Sequence, residues 1–268
     1  MRVVTWNIQG GLTREGDRVD LDRVAATLRA LDADLIALQE VDRCQPRSGE
    51  VHQARWLGEA LGLHWAYAPA LLGRLGSGGC RAAPGGPAET DAWRLEGAGQ
   101  RGYGNAVLSR VPLTRAEVLP LPLPILRQPV LHGPEERVAL VATLQDPPGS
   151  GAELTVASVH LAVEPGLNLR QLRWLQRRLR AWPKPRLLLG DLNMWRRIAH
   201  AGSLPGWRPL VYGATFRNQP HDKLWPTVQI DNVLGDGLGR PRRTRIVASN
   251  ASDHRAVMVD LALPHDRS

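Results

Sequence analysis

Polar residues that could do acid–base or metal chemistry follow or end several strand-like runs of this 268-residue sequence. A carboxylate placed directly after a run such as "RLLLG" is costly in a core unless it is paired or bound to a metal. Loops at strand ends are also where an α/β scaffold assembles its functional site. The recurrence of this placement therefore indicates one shared site, whose candidates are Asn7, Glu40, His160, Asp191, Asn193, Asp231, Asp253 and His254.

The residue types indicate phosphoryl chemistry assisted by a hard cation. Carboxylate and amide oxygens suit Mg²⁺ or Mn²⁺, and the sequence has no Cys/His cluster of zinc spacing. An Asp can fix the tautomer of a neighbouring His, whose ring then donates to developing negative charge. The absence of GxSxG and GxxxxGK[ST] leaves a serine hydrolase and a P-loop nucleotide site unsupported.

The elements that must position these residues are mostly strands. Alternating or continuous apolar runs predict strands at 2–8, 34–40, 64–69, 104–109, 137–144, 153–161, 186–192, 227–234 and 255–263. Helical spacing is found at 21–31, 51–62 and 168–182. Many strands with few helices argue against a simple βαβ repeat and favour two sheets with helices outside, in one α/β domain covering 1–268.

Two segments interrupt this pattern. Residues 71–102 are rich in Gly, Ala and Pro and predict a flexible insertion. Residues 119–136 are punctuated by proline and predict an extended segment with little regular structure.

The charge and the cysteine content bear on partners and compartment. A net charge of +8 and a pI near 10.6 favour polyanionic partners, although nearly all the basic residues are Arg, which a compositional bias would also produce. Cys44 and Cys80 are too few for a disulfide scaffold. No apolar run reaches the roughly 18 residues of a membrane span, and "MRVVTWNIQG" has no signal-peptide core. We therefore expect a cytoplasmic protein without a transmembrane segment or an obligate protein partner.

The motifs occur in a recognisable order: "TWNIQG", "LQEVD", "GNAVLSR", "VHL", "GDLN", "IDNVL" and "SDHRAV". In this order, from Thr5 to Val257, they resemble the deoxyribonuclease I-like endonuclease/exonuclease/phosphatase superfamily. The resemblance implies a four-layer sandwich in which two mixed β-sheets pack face to face with helices on both outer faces.

The resemblance also implies a metal side of the site. Glu40 would be the main ligand of a Mg²⁺ or Mn²⁺ ion, Asn7 would lie close to the ion and the phosphate, and Asp253 would lie beside the ion. Repair nucleases of the superfamily carry an Asp where this chain has Gln9, so we expect a single catalytic ion.

The remaining residues are implied to act on water and phosphate. Asp191 would hold or deprotonate the attacking water, and Asn193 would orient it or the phosphate. His254, oriented by Asp231, would contact the phosphate oxygens. His160 stands where repair nucleases carry a Tyr, which argues against an abasic-site nuclease.

The chain is more similar to the compact bacterial metal-dependent hydrolases of this superfamily, in which Arg47, Arg101 and Asn105 would be substrate contacts or structural residues. We therefore predict a metal-dependent phosphoesterase, most simply acting on a small-molecule or phospholipid-headgroup phosphodiester. A nuclease acting on DNA or RNA is the alternative, which the positive charge favours. A binding protein without catalysis should have lost at least one site residue, and this chain retains all of them.

Overall fold

The computed structural model describes residues 1–13, 18–76, 80–92, 100–124, 136–145, 153–216 and 228–263. These residues form four α-helices: α1 (Leu21–Leu31), α2 (Gln53–Leu61), α3 (Leu167–Arg178) and α4 (Arg196–Gly202). The same residues form fifteen strands: β1 (Arg2–Asn7), β2 (Leu35–Arg43), β3 (His64–Leu72), β4 (Arg81–Ala82), β5 (Gly86–Pro87), β6 (Glu89–Thr90), β7 (Gly102–Ser109), β8 (Leu113–Pro120), β9 (Val138–Gln145), β10 (Glu153–His160), β11 (Arg186–Asp191), β12 (Trp207–Pro209), β13 (Asp231–Asp236), β14 (Arg243–Val247) and β15 (Ala256–Asp260).

The strands form two mixed sheets. The first has the order β14-β15-β1-β2-β7-β3-β4, with β6 also paired to β3. The second has the order β12-β13-β11-β10-β9-β8-β5. Each sheet contains one parallel pair, β1 with β2 and β10 with β11, and the other pairs are antiparallel.

Three apolar clusters hold four layers together. The central cluster lies between the sheets and includes Val3, Val107 and Leu189. A second cluster packs α1 and α2 on the first sheet through residues such as Leu28 and Leu57. A third packs α3 and α4 on the second sheet. The predicted four-layer α/β sandwich is therefore confirmed, because the central strands bury one face between the sheets and the other under a helix.

Strand direction brings the candidate residues to one edge of the sandwich. The parallel pairs place the end of β1 beside β2 and the end of β10 beside β11, with His160 opposite Asp191 in the register. The antiparallel strand β13 begins at this edge, with Asp231 opposite Asp191. His254 precedes β15, which starts next to the end of β1. Five strand ends, those of β1, β10, β11, β13 and β15, thus converge on one place.

Several elements were not predicted from the sequence. Strands β8, β12 and β14 are rich in polar residues, and β12 and β14 lie at sheet edges, so their sequences lack a continuous apolar signal. The described part of the predicted insertion forms the short strands β4, β5 and β6. Residues 77–79 and 93–99 of that insertion lie outside the described residues, and its flexibility stays a prediction. The predicted extended segment begins within β8, and residues 125–135 of it also lie outside the described part.

None of the helices in the described ranges is long and apolar enough to cross a membrane.

Candidate active site

Asn7 joins two carboxylates from different strands. Its side chain is fully buried at the end of β1, and its Nδ2 donates to Oε1 of Glu40 at 2.9 Å and to Oδ2 of Asp191 at 3.2 Å. Its Oδ1 accepts from the backbone N–H of Gln9 at 3.1 Å. One neutral amide therefore bridges the carboxylates of Glu40 and Asp191 and holds them close together.

Glu40 is positioned by an irregularity in β2. The pairing of β2 with β7 shifts register between Leu38 and Val41, and Glu40 has a φ of 57°. Such a conformation is costly for a residue with a side chain and is typical of functional positions. The bulge turns Glu40 toward the end of β1, where 22% of its side chain stays exposed.

A buried polar network fixes the two sheets to each other beneath this bulge. Nε2 of Gln39 donates to Oγ1 of Thr5 and to Oγ of Ser158, both at 3.2 Å. Ser158 in turn donates to the carbonyl of Leu38 at 3.3 Å. Because Ser158 belongs to the opposite sheet, the network sets the relative position of Glu40 and the residues that follow β10.

Asp191 is the buried centre of the site. It follows Gly190, where a Cβ atom would lie 1.9 Å from the carbonyl oxygen of Val159, so no side chain fits there. Oδ1 of Asp191 accepts from the backbone N–H of Asn193 at 2.9 Å. Burial, and then the charge of Asp231, raise the pKa of Asp191 to about 7. Asp191 can therefore exchange a proton near neutral pH.

His160 is held as a neutral ring. Its pKa lies well below the usual range because of burial and the nearby charges of Arg137 and His254. Nδ2 of Asn193, which can only donate, lies 2.9 Å from Nε2 of His160 and also donates to the carbonyl of Leu161. The ring proton therefore lies on Nδ1, which is 3.8 Å from Oε1 of Glu40.

His254 is paired with a fully buried acid. Its Nδ1 lies 2.9 Å and 3.1 Å from the two carboxylate oxygens of Asp231, whose own backbone N–H donates to Oγ1 of Thr215. Burial lowers the pKa of His254, but the charges of Asp231 and Asp191 outweigh it and raise the pKa to about 10. The ring of Phe216 packs against the imidazole at 4.7 Å. His254 is thus a charged donor at neutral pH.

The donor set fits a divalent cation on the Glu40 side. Asp191, Asp231 and His254 also form a buried group whose possible ligand atoms lie within 4.8 Å of one another. His254 is protonated there, however, and both oxygens of Asp231 face it. Glu40 and Asp191 are joined through the amide of Asn7, and a cation beside them would favour the charged form of Asp191, whose pKa is raised by burial and then by the charge of Asp231.

Of the three predicted substrate contacts, only Arg47 lies near this site. Arg47 forms two hydrogen bonds of 2.8 and 2.9 Å with buried Asp42, and the charge of Glu40 contributes to its raised pKa. Arg101 pairs with exposed Glu50 at 2.8 Å. Asn105 is buried and donates to the carbonyl of Val138 at 2.9 Å, which is a structural bond between the two sheets.

Asp253 does not reach Glu40 or Asn7 in the described contacts. Its Oδ1 accepts from the hydroxyl of Ser252 at 3.4 Å, and the same hydroxyl donates to the carbonyl of Asn7 at 2.7 Å. The backbone N–H of His254 donates to that oxygen of Ser252 at 3.1 Å. Ser252 therefore ties the end of β1 to the turn that carries His254.

Two residues near the site were not identified from the sequence. Burial, followed by the charge of nearby Glu40, holds the pKa of Tyr103 well above its usual value. The charge of Arg137, a buried residue just before β9, acts on both Tyr103 and His160. The motif "RGYGN" contains a signal for Tyr103, because this Tyr lies between the predicted substrate contacts Arg101 and Asn105. The sequence around Arg137 contains no such signal.

Comparison with known proteins places these residues in a family context. The model of the endonuclease/exonuclease/phosphatase family matches residues 4–254. The Escherichia coli uncharacterized protein YbhP is 28% identical over 209 residues, which cover 74% of this chain and 69% of YbhP.

Solved structures have the same fold. An endonuclease/exonuclease/phosphatase from Beutenbergia cavernae superimposes with a TM-score of 0.72 at 26% identity, covering 98% of this chain and 72% of that one. A Bacteroides thetaiotaomicron mannosyl-6-phosphatase superimposes with a TM-score of 0.62 at 15% identity, covering 98% and 100% of the two chains.

Proposed function

The chain belongs to the endonuclease/exonuclease/phosphatase family of phosphoester hydrolases, and we propose that it is a divalent-metal-dependent hydrolase of phosphodiesters. One observation carries this proposal: a continuous series of side-chain contacts runs from Glu40 through Asn7 to Asp191 and on to the His254–Asp231 pair. It supports a site in which a metal-ligating acid, a proton acceptor and a charged donor surround one point.

In this proposal each residue of the site has a separate role in hydrolysis. A Mg²⁺ or Mn²⁺ ion held by Glu40 and Asn7, with Asp191 beside it, would neutralise charge on the phosphate oxygens. Asp191 takes the proton of the attacking water, which its pKa of about 7 permits at neutral pH. The backbone N–H of Asn193 keeps the Asp191 carboxylate oriented for this step.

His254 supplies the charge that the transition state needs. Asp231 occupies its Nδ1, so Nε2 is the atom that faces Asp191 and donates to a non-bridging phosphate oxygen. His160 and Asn193 hold each other and complete the wall between Glu40 and Asp191. Asp253 adds negative charge beside His254 and would lie at the outer edge of the metal side.

Two substrate classes follow from different observations. Gln9, in place of the repair-nuclease Asp, and His160, in place of the Tyr, favour a small-molecule or phospholipid-headgroup diester with one ion. The net charge of +8 favours the second candidate, a nuclease acting on DNA or RNA.

Hydrolysis of a chromogenic diester, bis(p-nitrophenyl) phosphate, and of the matching monoester tests the proposal. We expect turnover only with Mg²⁺ or Mn²⁺, faster for the diester, and lost in Asp191→Asn. If wild type and Asp191→Asn are equally inert with either metal, the hydrolase assignment is wrong for this chain. Plasmid, RNA and phospholipid offered separately divide the substrate classes.

A further inference from the structure

A basic groove lies between the edges of the two sheets, away from the site residues. It is bounded by β12 of one sheet and β14 of the other, and its volume is about 660 Å³. No carboxylate lines it among the described residues. Its polar lining consists mainly of Arg208, Arg240, Arg242, Arg243, His200 and Tyr212.

The groove arginines keep their charge available. Arg208, Arg240 and Arg242 are exposed, and no described carboxylate forms an ion pair with any of them. Arg243 acts on Asp260, but that carboxylate is already bonded to Arg2 at 2.8 Å. By contrast, Arg47 beside the site is neutralised by Asp42. The groove therefore attracts negative charge more strongly than a surface of paired arginines would.

Exposed aromatic rings connect the groove with the active site. Trp195 follows Asn193 by two residues and is 66% exposed. Tyr212 is 60% exposed at the groove, and the guanidinium of Arg196 lies 4.9 Å from its ring centre. The chain then continues from Tyr212 to Phe216, which packs on His254.

The dimensions suit an extended ligand. β15 runs from Ala256, two residues after His254, to Asp260 beside Arg243. The six residue steps from His254 to Asp260 span at most about 20 Å. That distance corresponds to about six stacked nucleotides of one strand.

We propose that the groove and the aromatic route bind the backbone and bases of a single-stranded nucleic acid, one phosphate of which lies at His254. This inference rests on the proposed phosphodiester hydrolysis and selects its nuclease branch. Arginines bind successive phosphates, and Trp195 and Tyr212 offer faces on which unpaired bases stack. A concave groove lined by charge fits a strand better than a flat lipid surface, despite the 49% exposure of Ile198 beside Trp195.

Fluorescence anisotropy with a labelled 20-nucleotide oligothymidylate, in EDTA, tests the surface without hydrolysis. We expect R208A/R242A to weaken binding at least about tenfold at 0.1 M salt and to reduce the slope of log K against log salt by about 1.4, since each single-strand phosphate contact contributes about 0.7. Trp195→Ala should weaken binding by about fivefold or more. The matched control is R177A/R180A, which removes two exposed arginines from α3 and the turn after it and should bind like wild type. Melting temperatures verify that each variant is folded.

Three results would overturn the inference. Equal weakening in R177A/R180A would mean that the overall charge, not the groove, binds the strand. Equal affinity for a duplex would remove the role of the exposed rings. Tighter binding to phosphatidylcholine/phosphatidylglycerol vesicles, lost in R208A/R242A, would make the groove a membrane surface. Groove-dependent binding by a protein inert toward the chromogenic diester would instead support the groove and refute the proposed hydrolysis.

Discussion

Nε2 of His254 lies 3.7 Å from Oδ2 of Asp191, while Nδ1 of the same ring lies 2.9 Å from Oδ2 of Asp231. The imidazole of His254 is therefore placed between two buried acids that have different roles. Asp231 keeps the ring charged, and Asp191, with its pKa raised to about 7, can accept a proton beside it. Asp191 as a base and His254 as a cationic donor are close enough to act at one phosphate, Asp191 on the attacking water and His254 on a phosphate oxygen.

The charge of His254 should set the alkaline limit of activity. Its pKa of about 10 means that the imidazolium persists through neutral pH and is lost as pH rises through that value. Asp231→Asn removes a major group that raises this pKa, whereas burial still lowers it. We therefore expect the pH–rate profile of Asp231→Asn to fall above about pH 7, and the wild-type profile to extend close to pH 10. Identical alkaline limbs in the two proteins would contradict the assigned pairing.

His254→Ala should affect both turnover and stability. Loss of one transition-state donor is expected to reduce kcat at least about a hundredfold. The change also leaves Asp231 buried without its partner, which should destabilise the protein by about 3 kcal/mol. The double variant Asp231→Asn/His254→Ala should recover much of the stability and none of the activity, as measured by urea unfolding and diester hydrolysis. Recovery of both would mean that His254 only supports the fold.

Asp191 makes the stability of the metal-free protein depend on pH. Its folded pKa of about 7 exceeds the usual value of 3.8, so its contribution is fully present below pH 4 and is lost as pH rises through 7. In EDTA, Asp191→Asn should therefore melt a few degrees above wild type at pH 8, and the difference should shrink as the pH falls and nearly vanish at pH 4. If the difference in melting temperature does not change with pH, then burial does not raise the pKa of Asp191.

Glu40 should be needed for stabilisation by metal. Mg²⁺ or Mn²⁺ at about one hundred times its dissociation constant raises the free energy of unfolding by about 2.7 kcal/mol. We expect this gain in wild type at pH 8, a smaller gain at pH 6 where Asp191 is protonated, and almost none in Glu40→Gln. Glu59→Gln, which changes an exposed acid on α2, should respond like wild type. A full response of Glu40→Gln would exclude Glu40 as the main ligand.

Tyr103 should tune the metal site through Glu40. Tyr103→Phe removes a hydroxyl close to this carboxylate, and groups that support a metal-ligating carboxylate are typically worth about tenfold or more in metal affinity. The change should raise the metal concentration needed for half-maximal activity. Tyr67→Phe is the matched control, because that buried hydroxyl donates weakly, at 3.5 Å, to the carbonyl of Val41. The same shift in both variants would point to general loosening of the sheet.

Which candidate residues lie at strand ends could largely be predicted from the sequence. Asn7, Asp191 and Asp231 each end or begin an apolar run, and strand periodicity identifies such positions without tertiary information. The α/β class followed from the same periodicity. Strand β14 could not be predicted, because it is an edge strand that is mostly exposed and therefore carries no apolar pattern of its own.

Only the tertiary structure decided the protonation states and the partners of these residues. The protonation states of Asp191 and His254 depend on burial and on acids from other strands, which no local pattern records. Asn105 and Arg101 have suitable chemistry in the sequence, but folding pairs them with Val138 and Glu50. The basic groove arises only because β12 and β14 end their separate sheets on the same side. The sequence determines which groups are available, and packing determines which of them meet, because charge and proximity act through space rather than along the chain.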